Sequence, residues 1–288
     1  MKSPLLSLPG AVPGEGPDEG VAAHYGELFR EQRALADGTG FVDLSHRGVV
    51  TVTGEDRLSW LHLLLTQHVS DLPAGEATEA LIAYLESMKF FYRVEVADRT
   101  ADTALVHLPA GSIAQAPASA VVRETPYGRD LFLPREELEA FAAQAGPAAG
   151  ILAHEALRVE QHRPRLGFET DHRTIPHELG WIGTAVHLQK GCYRGQETVA
   201  RVQNLGKPPR RLVFLHLDGS DVHLPPAGAE VRLADDGPDG RKIGFVTTSV
   251  RHHELGPVAL ALVKRNVPVD ARLLAETTAA AQETVVEP

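Results

Sequence analysis

The sequence predicts an α+β protein in which a mixed α/β N-terminal region precedes a small antiparallel β-barrel. Three observations predict this fold class. The first part of the chain alternates β-branched runs with apolar residues at helical spacing. Pro208-Pro209 then marks a natural boundary. Beyond it, short strands separated by turns such as Asp235–Gly240 follow one another without a helix, which is typical of a small barrel.

The strand and helix near residue 50 have clear patterns. Val49–Thr53 is β-branched throughout and favours a strand. Glu55 and Asp56 suit the first turn of the next helix, because acidic side chains stabilise a helix N-terminus. The predicted buried face of that helix consists of Leu58, Trp60, Leu61, Leu64 and Leu65.

Two further strands and two helices are predicted next. The strands are Phe90–Val96, whose aromatic residues we expect in the core, and Ala104–Leu108. One helix begins at Pro134 and is stopped by Gly146. The other covers about 149–161 and ends before Pro164.

The last predicted helix of the N-terminal region is Gln196–Leu205, which Gly206 terminates. Its apolar residues Val199, Val202 and Leu205 are predicted to face inward. Glu197 and Arg201 are four residues apart and can form an ion pair on the exposed side.

The domain organisation follows from composition. Residues 1–20 are rich in Pro and Gly and are predicted to be disordered. An N-terminal region over 21–207, shortened near 72–82, and a barrel domain over 208–275 follow, and 276–288 is predicted to be a loose tail. The predicted barrel strands are Arg211–Leu217, Ala229–Ala234, Lys242–Val250 and Val258–Val263.

Composition excludes several classes of function. The 288 residues are 43% hydrophobic and 23% charged, which is ordinary for a soluble globular protein. The net charge of −10 argues against direct nucleic-acid binding, because phosphate backbones bind clustered positive charge. No apolar run approaches the ~20 residues of a membrane span, and the N-terminus lacks a convincing export signal. We therefore expect a cytoplasmic protein without membrane contact.

Metal-binding chemistry is not indicated by the residue types. The single cysteine permits no intrachain disulfide, and it cannot hold an iron–sulfur cluster alone, because such clusters normally take four protein ligands. The 14 histidines lack zinc-type spacing. No resident metal site is therefore predicted.

The segment Lys190–Glu197 concentrates the reactive chemistry of the chain. It places Cys192 between two glycines, with Lys190 and Arg194 on either side and a predicted helix start just after it. Nearby cations and a helix N-terminus both stabilise a thiolate. A small buried cysteine in a tight turn is the alternative, because free cysteines are usually buried and inert. Local chemistry leaves both interpretations open.

The motif Lys-Gly-Cys-Tyr-x-Gly-Gln-Glu resembles the signature of the YgfZ-type folate-binding proteins. These are a branch of the superfamily that contains the glycine-cleavage T-protein, an aminomethyltransferase. Flanking motifs extend the resemblance over most of residues 21–275. They include Phe41–Ser45, Val52–Asp56, Ile175–Gly180, Arg210–Leu212 and Gly244–Thr247. The resemblance implies a T-protein-like folate-binding region covered by the barrel.

The resemblance implies tetrahydrofolate, or a derivative, as cofactor. A reduced folate needs a carboxylate for its pterin N–H donors, an aromatic wall, and cations towards its glutamate tail. The predicted folate-binding residues are Glu178 for the pterin, Trp181, Tyr193 or Phe168 for the wall, Arg165, Arg194 or Arg201 for the tail, and Gln196 and Glu197 of the signature. Cys192 and Lys190 are the predicted catalytic residues. Structural roles compete with these, such as Trp181 in the core and Arg165 as a helix cap.

Two departures from the superfamily pattern bear on activity. His68 stands where aminomethyltransferases carry an aspartate, and a neutral imidazole does not supply the fixed negative charge that favours an iminium-like transition state. In addition, the chain near 72–82 lacks a strand pair that relatives have. The ligand cavity is therefore expected to be incomplete if that loss is real.

Three functions are open. The leading prediction is a tetrahydrofolate-binding accessory protein for iron–sulfur cluster assembly or repair, acting with assembly or client proteins, as the YgfZ resemblance implies. The second is an enzyme, a folate-dependent aminomethyltransferase or methyltransferase. The third is a role linked to transfer RNA modification, against which the overall acidity weighs.

Overall fold

A computed structural model of the chain describes residues 1–64, 76–188, 192–193, 195–220 and 223–288. The chain forms two compact units. The first comprises Met1–Arg57 with Pro73–Leu157, and the second comprises Leu58–Leu72 with Arg158–Pro288. Among the described residues, no helix is long and apolar enough to cross a membrane.

The first unit is built around a five-stranded sheet with a short hairpin before it. Its strands and helices in chain order are β1 (Val12–Pro13), β2 (Ala22–His24), α1 (Leu28–Ala36), β3 (Phe41–Asp43), β4 (Val50–Thr53), α2 (Arg57–Leu64, which crosses into the second unit), α3 (Glu76–Ser87), β5 (Glu95–Asp98), β6 (Thr103–Pro109), β7 (Val121–Thr125), β8 (Gly128–Pro134), α4 (Leu138–Ala142), β9 (Ala148–Ala149) and α5 (Ile151–Glu160, which also crosses). The sheet has the order β7-β8-β6-β3-β9, and only β3 and β9 are parallel.

Both faces of this sheet carry apolar side chains. Successive residues of a strand point to opposite sides, so consecutive apolar residues supply both faces. Phe41 packs with Phe141 of α4, their ring centroids 5.6 Å apart. Val42, the next residue, belongs to the opposite cluster, which contains Leu35 of α1 and Leu157 of α5. The alternating pattern therefore buries a helix against each face. β4 and β5 form a separate two-stranded sheet.

The second unit contains a closed antiparallel barrel. Its elements are α6 (Gln196–Leu205), β10 (Arg210–Leu217), β11 (Glu230–Leu233), β12 (Gly244–His252), β13 (Gly256–Lys264), β14 (Arg272–Ala275) and β15 (Thr278–Thr284). The strands close in the order β10-β13-β12-β11-β14-β15. Gly244 permits a close strand contact, because a Cβ there would lie 2.4 Å from the carbonyl oxygen of Leu262.

The fold class is confirmed, and so are most predicted elements. β4, β6, α2, α5, α6 and the four predicted barrel strands are present, with ends that shift by at most two residues. The helix predicted from Pro134 is shorter, because a 3-10 turn at Arg135–Glu137 precedes α4. The α6 residue Leu205, predicted inward, is 85% exposed.

The predictions of a disordered segment 1–20 and a loose tail 276–288 are wrong, because both segments are ordered. Ser3 in the segment 1–20 hydrogen-bonds Asp43, and Leu5 is buried in the sheet core. At the other end, β15 pairs with both β10 and β14 and thereby closes the barrel. Both segments gain their order from residues far away in the chain, which local composition does not register.

The aromatic strand predicted at Phe90–Val96 is also wrong. The strand begins only at Glu95, and Phe90 has a φ of 42°, in the left-handed region. Phe90 and Phe91 are 75% and 99% exposed, so they are not core residues. The predicted boundary at Pro208 differs as well, because the segment from Arg158 onwards lies in the same compact unit as the barrel.

Candidate functional site

The last three residues of the signature segment, 195–197, form the start of α6. Gly195 has a φ of 86° at the helix N-cap, a conformation that favours glycine. Tyr193 is buried with Val186 and Val199, and its carbonyl accepts a hydrogen bond from Gln196 N at 3.2 Å. Burial raises the pKa of the Tyr193 phenol. Its ring is therefore part of the packing that holds the turn, and its predicted contact with folate stays a prediction.

Cys192 is exposed. The alternative of a small buried cysteine is therefore wrong, and the thiol is accessible to a reactant. Lys190 and Arg194, the predicted cations beside it, lie outside the described residues. Their effect on the thiol stays a prediction.

Glu178 is fully buried in the 3-10 turn Pro176–Leu179. Arg210 of β10 binds its carboxylate in bidentate fashion, with Nε 2.9 Å from Oε1 and Nη2 2.8 Å from Oε2. The backbone N–H of Ile175 also donates to Oε2, at 3.3 Å. The bidentate geometry is the strong form of a charged hydrogen bond and compensates for the burial of both charges.

Asp171 is the second carboxylate on Arg210. Arg210 Nη1 lies 2.9 Å from Oδ2 and Nη2 lies 3.2 Å from Oδ1. Oδ1 also accepts bonds from Arg173 N and Thr174 Oγ1. The hydrogen bonds from Arg210 hold the pKa of Asp171 well below its usual range, against the opposing effect of burial. The hydrogen bonds that Arg210 donates to Glu178 raise the pKa of the Arg210 guanidinium above its usual range.

The group of Glu178, Arg210 and Asp171 thus contains two carboxylates and one guanidinium. Its net negative charge favours a ligand that donates hydrogen bonds over one that is an anion. The side chain of Asp171 is 36% exposed, whereas that of Glu178 is fully covered. Asp171 Oδ2 accepts only from Arg210 among the bonds of the described residues, so it retains capacity for a further donor.

The signature helix lies beside this group. Helix α6 packs against the turn that contains Glu178, and His177 Nε2 is 3.1 Å from Gln203 Oε1. The structure thereby brings the signature helix and the predicted pterin-binding acid into one neighbourhood of the second unit.

The other predicted site residues have varied surroundings. Trp181 is half-buried against the outer wall of the barrel with Leu179 and Phe214. The Arg165 guanidinium lies 4.2 Å from the centroid of the Phe168 ring, a cation–π contact. Arg201 and Glu197 form the predicted surface pair at 3.5 Å. Gln196 is half-buried at the first position of α6. The roles of these residues in binding folate stay predictions.

A second buried network has a structural explanation. Glu169 Oε1 accepts from Thr247 at 2.9 Å and Thr248 at 2.6 Å, and Oε2 accepts from Arg158 at 2.9 Å and the Arg165 backbone at 2.7 Å. All four acceptor positions of the carboxylate are occupied. Glu169 therefore fixes the segment after α5 to β12.

Sequence reasoning missed Asp171, Glu169 and the pairing role of Arg210. Arg210 belongs to a motif that carries the family resemblance, but its contact with Asp171 spans 39 positions of sequence. Only folding brings them together.

In the described part of the chain, no cluster of three or more His, Cys, Asp or Glu side chains could hold a metal ion.

No family model matches the chain. It is 26% identical to a protein from Halalkalibacterium halodurans named aminomethyltransferase, with 91% of this chain and 90% of that protein covered. It is 24% identical to a chloroplastic protein of Arabidopsis thaliana named a putative transferase, over 82% of this chain and 67% of that protein. The first alignment spans 336 positions, more than the 288 residues here. That relative therefore has segments without a counterpart in this chain.

The fold is that of the T-proteins. A crystal structure of the glycine cleavage system aminomethyltransferase T from Bartonella henselae matches with a TM-score of 0.79 and 18% sequence identity, over 99% of this chain and 95% of that one. Together, the sequence relatives and this structure support the resemblance to the T-protein superfamily. They leave the narrower YgfZ resemblance as a prediction.

Proposed function

We propose that this chain binds a reduced folate and acts in one-carbon transfer of the aminomethyltransferase type. The arrangement that supports this most directly is the charged group of Glu178, Arg210 and Asp171 within a T-protein-like fold. The names of the sequence relatives favour this function over the iron–sulfur accessory role that the signature motif predicts.

The residues divide the work of binding. Arg210 fixes the Glu178 carboxylate and holds the pKa of Asp171 below its usual range, so that Asp171 stays ionised even in mildly acidic solution. Asp171 Oδ2 then accepts a hydrogen bond from the N–H groups of the pterin. When bound, tetrahydrofolate supplies the nitrogen that accepts the one-carbon unit. The chain's own contribution is to orient the ring and to hold a negative charge beside its donors.

A transfer assay tests the enzymatic proposal. The purified chain is incubated with tetrahydrofolate and a carrier protein loaded with a methylamine group, and methylene-tetrahydrofolate is measured. We expect product at a rate above that of the same mixture without the chain. Folate binding without product would limit the proposal to binding and would favour an accessory role.

The accessory role in iron–sulfur assembly is the second candidate, and the exposure of Cys192 is the observation in its favour. An accessible thiol can contact a partner protein or its cluster, whereas a buried one cannot. The test uses cells that lack this protein and measures a cluster-dependent enzyme. Cys192→Ser and Cys192→Ala should both fail to restore activity, and Thr198→Ala, on an exposed position of α6, should restore it. Full rescue by both cysteine variants would remove this candidate.

A further inference from the structure

A cavity of about 590 Å³ lies in the first unit, among residues that the proposed folate site does not use. Its volume falls within the range of small-molecule sites, about 300–1,000 Å³. In the described chain it is lined by Thr39, by residues 113–117 and by residues between 137 and 146. The proposed folate site belongs to the second unit, so this cavity is independent of it.

One side of the cavity is a single face of α4 and its flanking turns. Residues 137, 140, 141, 144 and 145 line it, and spacings of three and four place side chains on the same face of a helix. Ala145 N donates to Phe141 O at 3.0 Å, so the helical path continues past the end of α4. Phe141 and Ala145 are buried and give this side an apolar surface. Alanine at positions 140 and 145 leaves space that a longer side chain would fill.

The second lining segment, residues 113–117, is fixed in place by hydrogen bonds. Arg129 Nη2 donates to the carbonyl oxygens of Ser112 and Ala114, at 3.2 and 2.8 Å. Ala114 N also donates to Ser112 Oγ, at 3.3 Å. The cavity is therefore formed by the fold itself, as small-molecule sites usually are before their ligand binds.

Glu137 is the only charged side chain among the described residues that line the cavity. Ser119 Oγ donates to Glu137 Oε2 at 2.6 Å and so holds the carboxylate in place. Within the described chain, Oε1 accepts no hydrogen bond, so it retains capacity for a donor. Two arginines close in sequence bond elsewhere. Arg135 donates three hydrogen bonds to backbone oxygens, Arg129 donates to the wall described above, and neither lines the cavity.

We propose that this cavity binds a small organic amine, whose apolar body contacts the alanine and phenylalanine surface and whose ammonium group donates to Glu137 Oε1. A charge-assisted hydrogen bond of this kind is about twice as strong as a neutral one. Gln144 lines the same cavity, and its amide can donate to or accept from a second polar group of the ligand. A ligand carboxylate is disfavoured, because it would meet the Glu137 carboxylate and a chain of net charge −10.

Three probes of similar size separate the charge from the apolar contact: phenethylamine, phenethyl alcohol and hydrocinnamate. Titration of the full chain, followed by the NMR signals of the probe, measures each affinity. The amine should bind saturably at millimolar concentration. The alcohol should bind roughly tenfold or more weakly, because it lacks the hydrogen bond between two charged groups. The carboxylate should show no saturation.

Two variants with matched controls locate the binding. Glu137→Gln removes the charge and should weaken the amine roughly tenfold or more, with little effect on the alcohol. Its control, Glu136→Gln, makes the same change at an exposed neighbour outside the lining. Ala140→Trp fills the space and should abolish binding of both probes. Its control, Ala143→Trp, lies at an exposed position outside the lining and should retain binding.

Thermal unfolding of each variant checks that it is folded. The absence of saturable phenethylamine binding to the unmodified chain would overturn the proposal. Equal amine affinity of the Glu137→Gln and Glu136→Gln variants would also overturn it, because the ammonium group would then not bind Glu137. Equal affinity of the two tryptophan variants would do the same, because the amine would then bind outside this cavity.

Discussion

Arg210 stabilises two carboxylates, and one of them, Glu178, is removed from solvent completely. Removing one partner of a buried ion pair leaves an uncompensated charge, which costs about 3–5 kcal/mol. We therefore expect Arg210→Met to lower the free energy of unfolding by about that amount. Urea denaturation measures the difference.

The matched control is Arg201→Met, because Arg201 pairs with Glu197 at the surface. Exposed pairs contribute about 0–1 kcal/mol, so this variant should unfold almost like the unmodified chain. Equal losses for the two variants would contradict the role assigned to Arg210.

Two histidines make the stability of the second unit depend on pH. Burial lowers the pKa of His252 and of His162, although neighbouring acids oppose the effect, Glu160 for both and also Glu254 and Glu283. The folded state therefore binds fewer protons than the unfolded state below the ordinary histidine pKa of about 6.5. The stabilisation is present above that pH and is lost as the pH falls through the lowered values.

We expect the thermal unfolding midpoint to decrease as the pH is lowered from neutral to about 5. The double variant His162→Asn and His252→Asn should show a flatter dependence. Asparagine tolerates the φ of 55° at His162, and its Oδ1 can replace His252 Nδ1 as acceptor from Leu255 N. Parallel pH curves for the two proteins would show that other groups control the effect.

At the scale of elements, β15 illustrates what local patterns miss. Its sequence Thr-Ala-Ala-Ala-Gln-Glu-Thr has no β-branched apolar residue, and alanine is depleted in strands. The segment is a strand because β10 and β14 supply its hydrogen-bond partners. The hydrophobic strands β10 and β13 were predictable, since their own residues specify burial.

Truncation tests the role of β15. A chain that ends after Glu276 should lose the cooperative unfolding of the barrel, because β10 and β14 are left with open edges. A chain that ends after Val286 retains the whole strand and the packing of Val285 and Val286, and should unfold near the normal temperature. Circular dichroism during heating measures both. Equal midpoints would mean that β15 is dispensable.

At the scale of the whole molecule, the fold class was predictable, whereas the division of the chain was not. Pro208-Pro209 suggested a boundary, yet Glu169 bonds Thr247 and Thr248, and Arg210 bonds Glu178. These long-range contacts join the segment after α5 to the barrel strands. Proline pairs and other local boundary signals do not reveal such contacts, because the contacts join residues about 30 to 80 positions apart.

The candidate site was predictable in part for the same reason. The motif resemblance pointed to Glu178 and the signature turn, and the structure brings that turn's helix beside Glu178. The motif resemblance could not indicate that Arg210 forms an ion pair with Glu178, or that Asp171 is the more exposed of the two acids. Ion pairs across a fold leave no pattern in one sequence.

The proposed function requires a reduced folate to bind beside Glu178 and Asp171, the two carboxylates that Arg210 holds. The most direct measurement is titration of the chain with tetrahydrofolate, followed by the fluorescence of Trp60 and Trp181. We predict a saturable change at sub-millimolar ligand, and for Asp171→Asn a roughly 10- to 100-fold weaker affinity, the loss of one hydrogen bond to a charged group. The absence of saturation, or equal affinity of the two proteins, would contradict the account.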